Sequence, residues 1–401
     1  MNKYIKQLSV SAKKESRLIV GLMSGTSLDG LDVVLCKINN SGIKTTVELL
    51  NFTTVDYDDN YKDKIKSVFA KQQIDLQQVT LLNPWVGTLH GKMVNQCLAQ
   101  WNIDACDVDV IASHGQTIYH CPAHQHGLEC FGNGTLQIGD SCHLAVETGV
   151  ITLADFRQKH IAAGGEGAPL AVYGDYLLFS SQQENRVLLN MGGIANLTYL
   201  PKSADPSVVF SSDVGPGNTI MDAYIQQNFS NLYYDKDSAI AMLGTINPHL
   251  LDALKNNHFF SLAMPKTTGP EVFNLAYLKQ AQQHSNTQKL SHYDILATLN
   301  RFSAEIIACA INQCTKELGS FALYASGGGI HNPLLMEHIL SLTPQITTIH
   351  NTAALGIAPD AKEAVLFAVL ANECLAGHAD NFGNPAQGIP NTTMGKISFP
   401  I

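Results

Sequence analysis

Two apolar, β-branched runs flank a Gly-Thr-Ser-Leu-Asp-Gly turn at residues 18–38, LIVGLMSGTSLDGLDVVLCKI, and the same plan returns at 186–200, RVLLNMGGIANLTYL. Runs of this kind around a glycine turn form antiparallel hairpins, because Gly and Asp accept the positive φ that tight turns demand. A third turn, SGGGIHN at 326–332, closes the apolar run FALYA. Glycines at a strand end let backbone N–H groups approach an anionic ligand where a Cβ would stand in the way. The first turn taken alone is equally an ordinary polar hairpin. Three strand-end glycine turns at corresponding places are harder to assign to turn geometry, and the likeness of 18–38 to 186–200 points to an internal duplication.

Between these turns strands and helices alternate, which places the chain in the α/β class. Leu81, Trp85, Leu89, Met93, Cys97 and Trp101 recur every four residues and predict a core-packed helix with Pro84 in its first turn. DVDVIASHGQT predicts a short buried strand, Val108 to Ala112, ending in a polar loop that bears Ser113, His114, Gln116 and Thr117. AVLFAVLA at 364–371, after Lys362 and Glu363, predicts a buried helix. A chain of 401 residues, 45% of them hydrophobic, is long enough for two cores. The glycines and polar residues near 155–165 set the boundary: residues 1–158 with 380–401 form one expected domain, and 159–379 the other.

The formal charge of −9 and the lack of a Lys/Arg cluster argue against nucleic acid or an anionic membrane as partner, leaving a small molecule. No run approaches the ~20 apolar residues of a membrane span. The charged N-terminus lacks the apolar core of a signal peptide, and nine irregularly spaced cysteines fit reduced thiols, so a cytoplasmic protein is expected. The 17-residue lead reads as a frayed or loosely docked extension.

None of the glycine turns is a P-loop or a dinucleotide fingerprint. Two halves that each open with a β-hairpin turn, with a further glycine turn late in the second, resemble the actin, hexokinase and Hsp70 ATPase superfamily. That likeness implies two ribonuclease-H-like domains around a nucleotide cleft. MSGTSLDGLD, HGQT, LQIGD, DFR…IAAGGEGAPL, NMGGIANLT, DVGPGN…MDA, YDKD and ASGGGIHNPLL follow one another from residue 18 to the C-terminus. In that order they resemble the 1,6-anhydro-N-acetylmuramic acid kinases. The resemblance implies a homodimeric enzyme of peptidoglycan recycling. It implies that 1,6-anhydro-N-acetylmuramate, ATP and water become N-acetylmuramate 6-phosphate and ADP, with Mg²⁺ as cofactor.

By the same resemblance Gly25, Thr26, Ser27, Leu28, Asp29, Gly30, Leu31 and Asp32 flank the phosphates, opposite Gly192, Gly193 and Asn196. Gly327, Gly328 and Gly329 lie against the adenosine, and Glu363 helps to hold Mg²⁺. Arg157 meets the lactyl carboxylate, while His114, Gln116 and Asn218 face the sugar. Asp213 is the base that deprotonates the attacking water; as a residue before Gly-Pro-Gly it reads equally as an N-cap or Asx-turn. Read from residue type alone, Arg157 is a surface arginine, His114 a structural histidine and Glu363 an exposed glutamate at a helix start. The stretch IYHCPAHQHGLECFGNGT at 118–135 is longer than the family's turn; its His and Cys spacing matches no zinc pattern and reads as a surface loop. Two rivals remain: a sugar kinase acting on a free hydroxyl, and an ATP-dependent binding module.

Overall fold

The computed structural model describes residues 2–316, 320–378, 382–385 and 388–401. Its strands in chain order are β1 (Ser16–Ser24), β2 (Gly30–Asn39), β3 (Thr46–Asp56), β4 (Val110–Cys121), β5 (Gly134–Ile138) and β6 (Thr152–Ala154). They continue with β7 (Arg186–Met191), β8 (Ile194–Leu200), β9 (Phe210–Pro216), β10 (Phe321–Ser326), β11 (Ile346–Asn351) and β12 (Lys396–Ser398). The first sheet runs β12-β6-β4-β1-β2-β3, with β5 paired to β4. The second runs β11-β10-β7-β8-β9.

Both sheets share one plan. An antiparallel meander, β1-β2-β3 or β7-β8-β9, is extended from its first strand by two parallel strands, β4 and β6 or β10 and β11. Parallel neighbours need crossovers, and helices supply them: Leu76–Trp101 before β4, His292–Thr315 before β10 and Pro333–Leu342 before β11. The repeat seen in the two hairpin sequences therefore extends to strand order and direction.

The chain divides into two compact units, residues 1–179 with 356–401 and residues 180–355. The expected division at 158/159 falls earlier in the chain, because the helices Ala171–Phe179 and Lys362–Ala376 pack on one another within the first unit. The expected boundary at 379/380 lies outside the described residues. The first core gathers Val20, Leu22, Leu31, Val33, Val86, Val94 and Ile111; the second gathers Val187, Leu189, Leu197, Phe273, Phe302, Ile307 and Leu323. Among the described residues no helix is long and apolar enough to cross a membrane.

Three local expectations need correction. Pro84 sits well inside Leu76–Trp101; Cys97 of the expected stripe is fully buried and Trp85, Leu89, Met93 and Trp101 pack half-buried against the same core, but the centre of the buried face is Leu82, Val86, His90, Val94 and Leu98, and Leu81 is exposed. A strict four-residue repeat drifts by about 40° per step around a helix, so the expected stripe winds off the centre of the buried face and its first residue, Leu81, falls outside it. The segment His114–Thr117 is no loop: β4 runs on through it, paired first to β1 and then to β5, because its polar side chains find buried partners. The N-terminal lead is docked. Its helix Lys3–Lys13 is followed by Lys14, which with Ser11 reaches buried Asp109, each at 2.6 Å, and Tyr4 stacks on Phe399.

Candidate active site

In the first unit, the turn between β1 and β2 leaves Thr26, Ser27 and Asp29 exposed, while Leu28 and Leu31 plunge into the core. Leu28 carries φ +60°, a left-handed backbone that an L side chain tolerates only when its surroundings hold it there. Leu28 and Leu31 can therefore serve a ligand through their backbone alone, and their side chains anchor the turn.

Arg157, in the helix Phe156–Ala162, donates from Nη1 to Gly167 O at 2.7 Å and from Nε and Nη2 to His114 Nε2 at 3.3 and 3.1 Å. His114 in turn has Nδ1 at 3.2 Å from Ser24 O, which can only accept, so the proton is on Nδ1 and the Nε2 lone pair faces Arg157. Burial, with the Arg157 charge second, pushes the imidazole down to about 3 and keeps it neutral. With both nitrogens engaged and 4% exposure, His114 orients the guanidinium and is not available for the direct sugar contact expected of it. Gln116, fully buried, is likewise committed: Oε1 accepts from Ser24 and Tyr61, and Nε2 donates to Gly25 O.

Glu363 opens the helix Lys362–Ala376. Gly21 admits that helix to β1, since a Cβ there would stand 2.1 Å from Ala364 O. The Glu363 side chain is solvent-accessible yet crowded by protein, and that crowding raises its carboxyl; Lys362 and Arg157 act against the rise and Asp32 adds to it. Asp32 is raised as well, chiefly by burial, while a 2.6 Å hydrogen bond from Thr54 opposes the shift. Glu363, Asp32 and Arg157 thus form one electrostatic cluster next to the first turn.

The second unit brings the other glycine turns together. Gly217 and Thr219 N–H donate to Gly193 O, and Asn218 N–H donates to Gly192 O, at 2.8, 3.1 and 3.0 Å, while Asn218 Nδ2 lies 3.4 Å from Met191 O. Gly327, at φ +81°, is pressed against Asn190 Oδ1 and the Met191 carbonyl, so no other residue fits there. Gly329 packs on Met191, and Asn196 sits across β8 from Asp213. Asn218 is thereby tied to the glycine turns.

Asp213 is the middle residue of β9, next to a register shift, and not the strand end that its sequence suggests. Its Oδ2 accepts from Thr268 N–H at 2.9 Å, and its own N–H donates to Lys266 O at 2.9 Å. Oδ1 takes no hydrogen bond from the described residues. Burial raises the carboxyl, the Thr268 N–H lowers it, and the Glu271 charge raises it again. Lys266, Thr268 and Glu271 escaped the sequence reading; the signal was the polar, Gly-Pro-bearing stretch KTTGPE, which names no chemistry until β9 is seen beside it. Within YDKD, Asp235 caps its own turn, accepting from Ile240 and Ala241 N–H at 2.9 Å each.

The repeated meander-plus-parallel sheets, each with a glycine turn at the head of its first hairpin, define a duplicated α/β protein, the plan that the sequence's resemblance to the actin and hexokinase superfamily leads one to expect. Comparison with known proteins narrows this. The profile of the anhydro-N-acetylmuramic acid kinase family matches residues 17–399. A protein named anhydro-N-acetylmuramic acid kinase from Pseudoalteromonas atlantica is 72% identical over 400 residues, covering 100% of both chains. One of the same name from Pseudoalteromonas translucida is 66% identical over 399 residues, again covering 100% of each. A third, from Caldanaerobacter subterraneus, is 36% identical over 393 residues, covering 96% of this chain and 98% of the other. The chain belongs to the anhydro-N-acetylmuramic acid kinase family.

Proposed function

We propose that this protein is an ATP-dependent kinase that opens the 1,6-anhydro bridge of 1,6-anhydro-N-acetylmuramate with water and phosphorylates O6. The products are N-acetylmuramate 6-phosphate and ADP, in peptidoglycan recycling. The observation that carries the chemistry is Asp213: a half-buried carboxylate with Oδ2 held by Thr268 N–H and Oδ1 left to accept a proton. A base needs that combination of fixed geometry and raised proton affinity.

Asp213 takes a proton from water as the water oxygen bonds to the anomeric carbon. The bond from that carbon to the bridging oxygen breaks, and that oxygen bonds to the γ-phosphorus as ADP leaves. Arg157, pre-aimed by His114 and Gly167, pairs its free edge with the lactyl carboxylate through the planar guanidinium. Thr26, Ser27 and the backbone of 25–30 take phosphate oxygens in the first unit; Gly192, Gly193 and Asn196 do so in the second, and Gly327, Gly328 and Gly329 lie under the nucleoside. Asn218 donates to a sugar hydroxyl.

Mg²⁺ would suit the oxygen-only pair of Glu363 and Asp32: burial is the main cause of both raised carboxyls, and the Asp32 charge that adds to the rise at Glu363 is one that a cation would offset. When bound it neutralises phosphate charge. We place the reaction in the cytoplasm and assign a homodimer, supported by the large exposed side chains Tyr233, Tyr234, Met242 and Leu243. A monomer mass in light scattering at micromolar concentration overturns that assignment.

The test is coupled ADP release with ATP, Mg²⁺ and 1,6-anhydro-N-acetylmuramate, run beside free N-acetylmuramate and N-acetylglucosamine in ¹⁸O-water. Preference for the anhydro sugar with label at the anomeric carbon supports the proposal. Turnover on free sugars alone, without label, overturns it in favour of an ordinary sugar kinase.

A further inference from the structure

Beneath the first turn lies a buried chain of hydrogen bonds that the chemistry above does not use. Ser24 Oγ is 2.6 Å from Gln116 Oε1, Tyr57 OH is 2.8 Å from Ser24 Oγ, and His90 Nε2 is 2.9 Å from Tyr57 OH. Tyr61 OH joins at 3.2 Å from Gln116 Oε1 and 3.5 Å from His90 Nε2. All of these side chains are at most 3% exposed, and Tyr57 and Tyr61 stack with centroids 3.7 Å apart.

The proton order in this chain has one solution. Gln116 points Nε2 at the carbonyls of Gly25 and Thr117, 3.3 and 3.5 Å away, so Oε1 is the acceptor at the other end. Ser24 must spend its hydrogen on Oε1 and therefore accepts from Tyr57. Tyr57 has then spent its own hydrogen, so the contact with His90 exists only if Nε2 carries a proton. Nδ1 of His90 is left as a bare lone pair, in agreement with its having no partner among the described residues. Burial pushes this imidazole down to about 3, so it remains a neutral donor.

The chain ends on the turn itself. Gln116 holds Gly25 O, Tyr57 holds Ser24 through its hydroxyl, and Tyr57 N–H donates to Asp29 O at 3.1 Å. One residue therefore grips both ends of a turn that contains the strained Leu28. We infer that His90 is a positioning residue for nucleotide binding: as terminal donor to the Tyr57 oxygen it completes the His90–Tyr57–Ser24–Gln116 chain, whose proton order Gln116 sets, and so holds the 25–29 turn in its phosphate-accepting shape. The inference rests on the reading of that turn as a phosphate site.

The test compares wild type with His90→Phe, His90→Gln and Tyr57→Phe, measuring calorimetric affinity for ADP and for a non-hydrolysable ATP analogue, KM for ATP, kcat and Tm. Loss of the donor leaves a buried hydroxyl oxygen unpaired, so His90→Phe should weaken nucleotide binding and raise KM for ATP by about tenfold. The value of kcat should move far less. His90→Gln, which restores an N–H at the same reach, should recover most of the affinity. Tyr57→Phe should match His90→Phe, and it serves as the test if His90→Phe does not fold.

Wild-type nucleotide affinity in both phenylalanine variants, with only Tm lowered, overturns the inference. A Thr26→Ala/Ser27→Ala variant separates the two levels. If it binds nucleotide as wild type does, the phosphate reading fails and takes the inference with it; if it binds weakly while His90→Phe does not, the inference alone fails.

Discussion

At Asp213 a single backbone N–H, from Thr268, decides which carboxylate oxygen is free to act. Asp213→Asn keeps that shape and removes the base, so turnover should fall by about 10³-fold while calorimetric nucleotide affinity stays near wild type. Near wild-type turnover would sink the assignment. Because the carboxyl is raised, the acid limb of the kcat/KM profile should lie above the ordinary aspartate value of 3.8. Glu271 contributes to that rise, and Glu271→Gln should move the limb to lower pH.

Asp222, in the helix after the GPGN turn, shows the stability side of the same physics. Burial pushes it up to about 6 from 3.8. Below 3.8 it is neutral in both the folded and unfolded chain and costs nothing. Between 3.8 and about 6 the unfolded chain ionises first, so stability falls as pH rises, and the loss is complete above 6. Asp222→Asn should therefore be more stable than wild type at pH 8, on the order of 1 kcal/mol after solvent screening. Urea midpoints should converge as the pH approaches 4, and a gain independent of pH would show that the charge is not its source.

Elements differ in how openly the sequence announces them. The β1–β2 and β7–β8 hairpins are legible because alternation and turn chemistry are local. The helix carrying Glu363 is legible in its apolar run, but its seat against β1 is not, since that depends on a Gly21 343 residues before Ala364. Gly21→Ala drives a methyl into the Ala364 carbonyl and should cost about 3 kcal/mol, read as a lowered Tm. It should also reduce kcat/KM by displacing Glu363. β4 hides for the opposite reason: its polar residues look like a loop until Ser24, Arg157 and Tyr61 supply their partners.

For the whole molecule, the N-terminal helix is the clearest departure from what composition suggests. It lies largely outside the residues matched by the family profile, yet Ser11 and Lys14 bind Asp109, and Arg17 donates to Ser11 O and to Asn372 Oδ1 at 3.1 and 3.0 Å. Deleting residues 2–14 removes the Lys14 ion pair and the Ser11 hydrogen bond from buried Asp109, leaving it the Arg17 charge, and should destabilise the first unit. Hydrogen exchange should accelerate in β1 and in Lys362–Ala376 and remain unchanged in β7 and β10; uniform acceleration in both units would refute a local role.

The amino-acid order by itself determined the α/β class, the paired hairpins, the three glycine turns and the family, because each is written in residues close together in the chain. Only the tertiary structure decided that His114 and Gln116 are committed inside the protein and that KTTGPE holds Asp213. The same is true of the His90 chain that ends on the first turn. Hydrogen-bond partners and burial are set by residues that folding brings together from distant parts of the chain, and no local pattern encodes them.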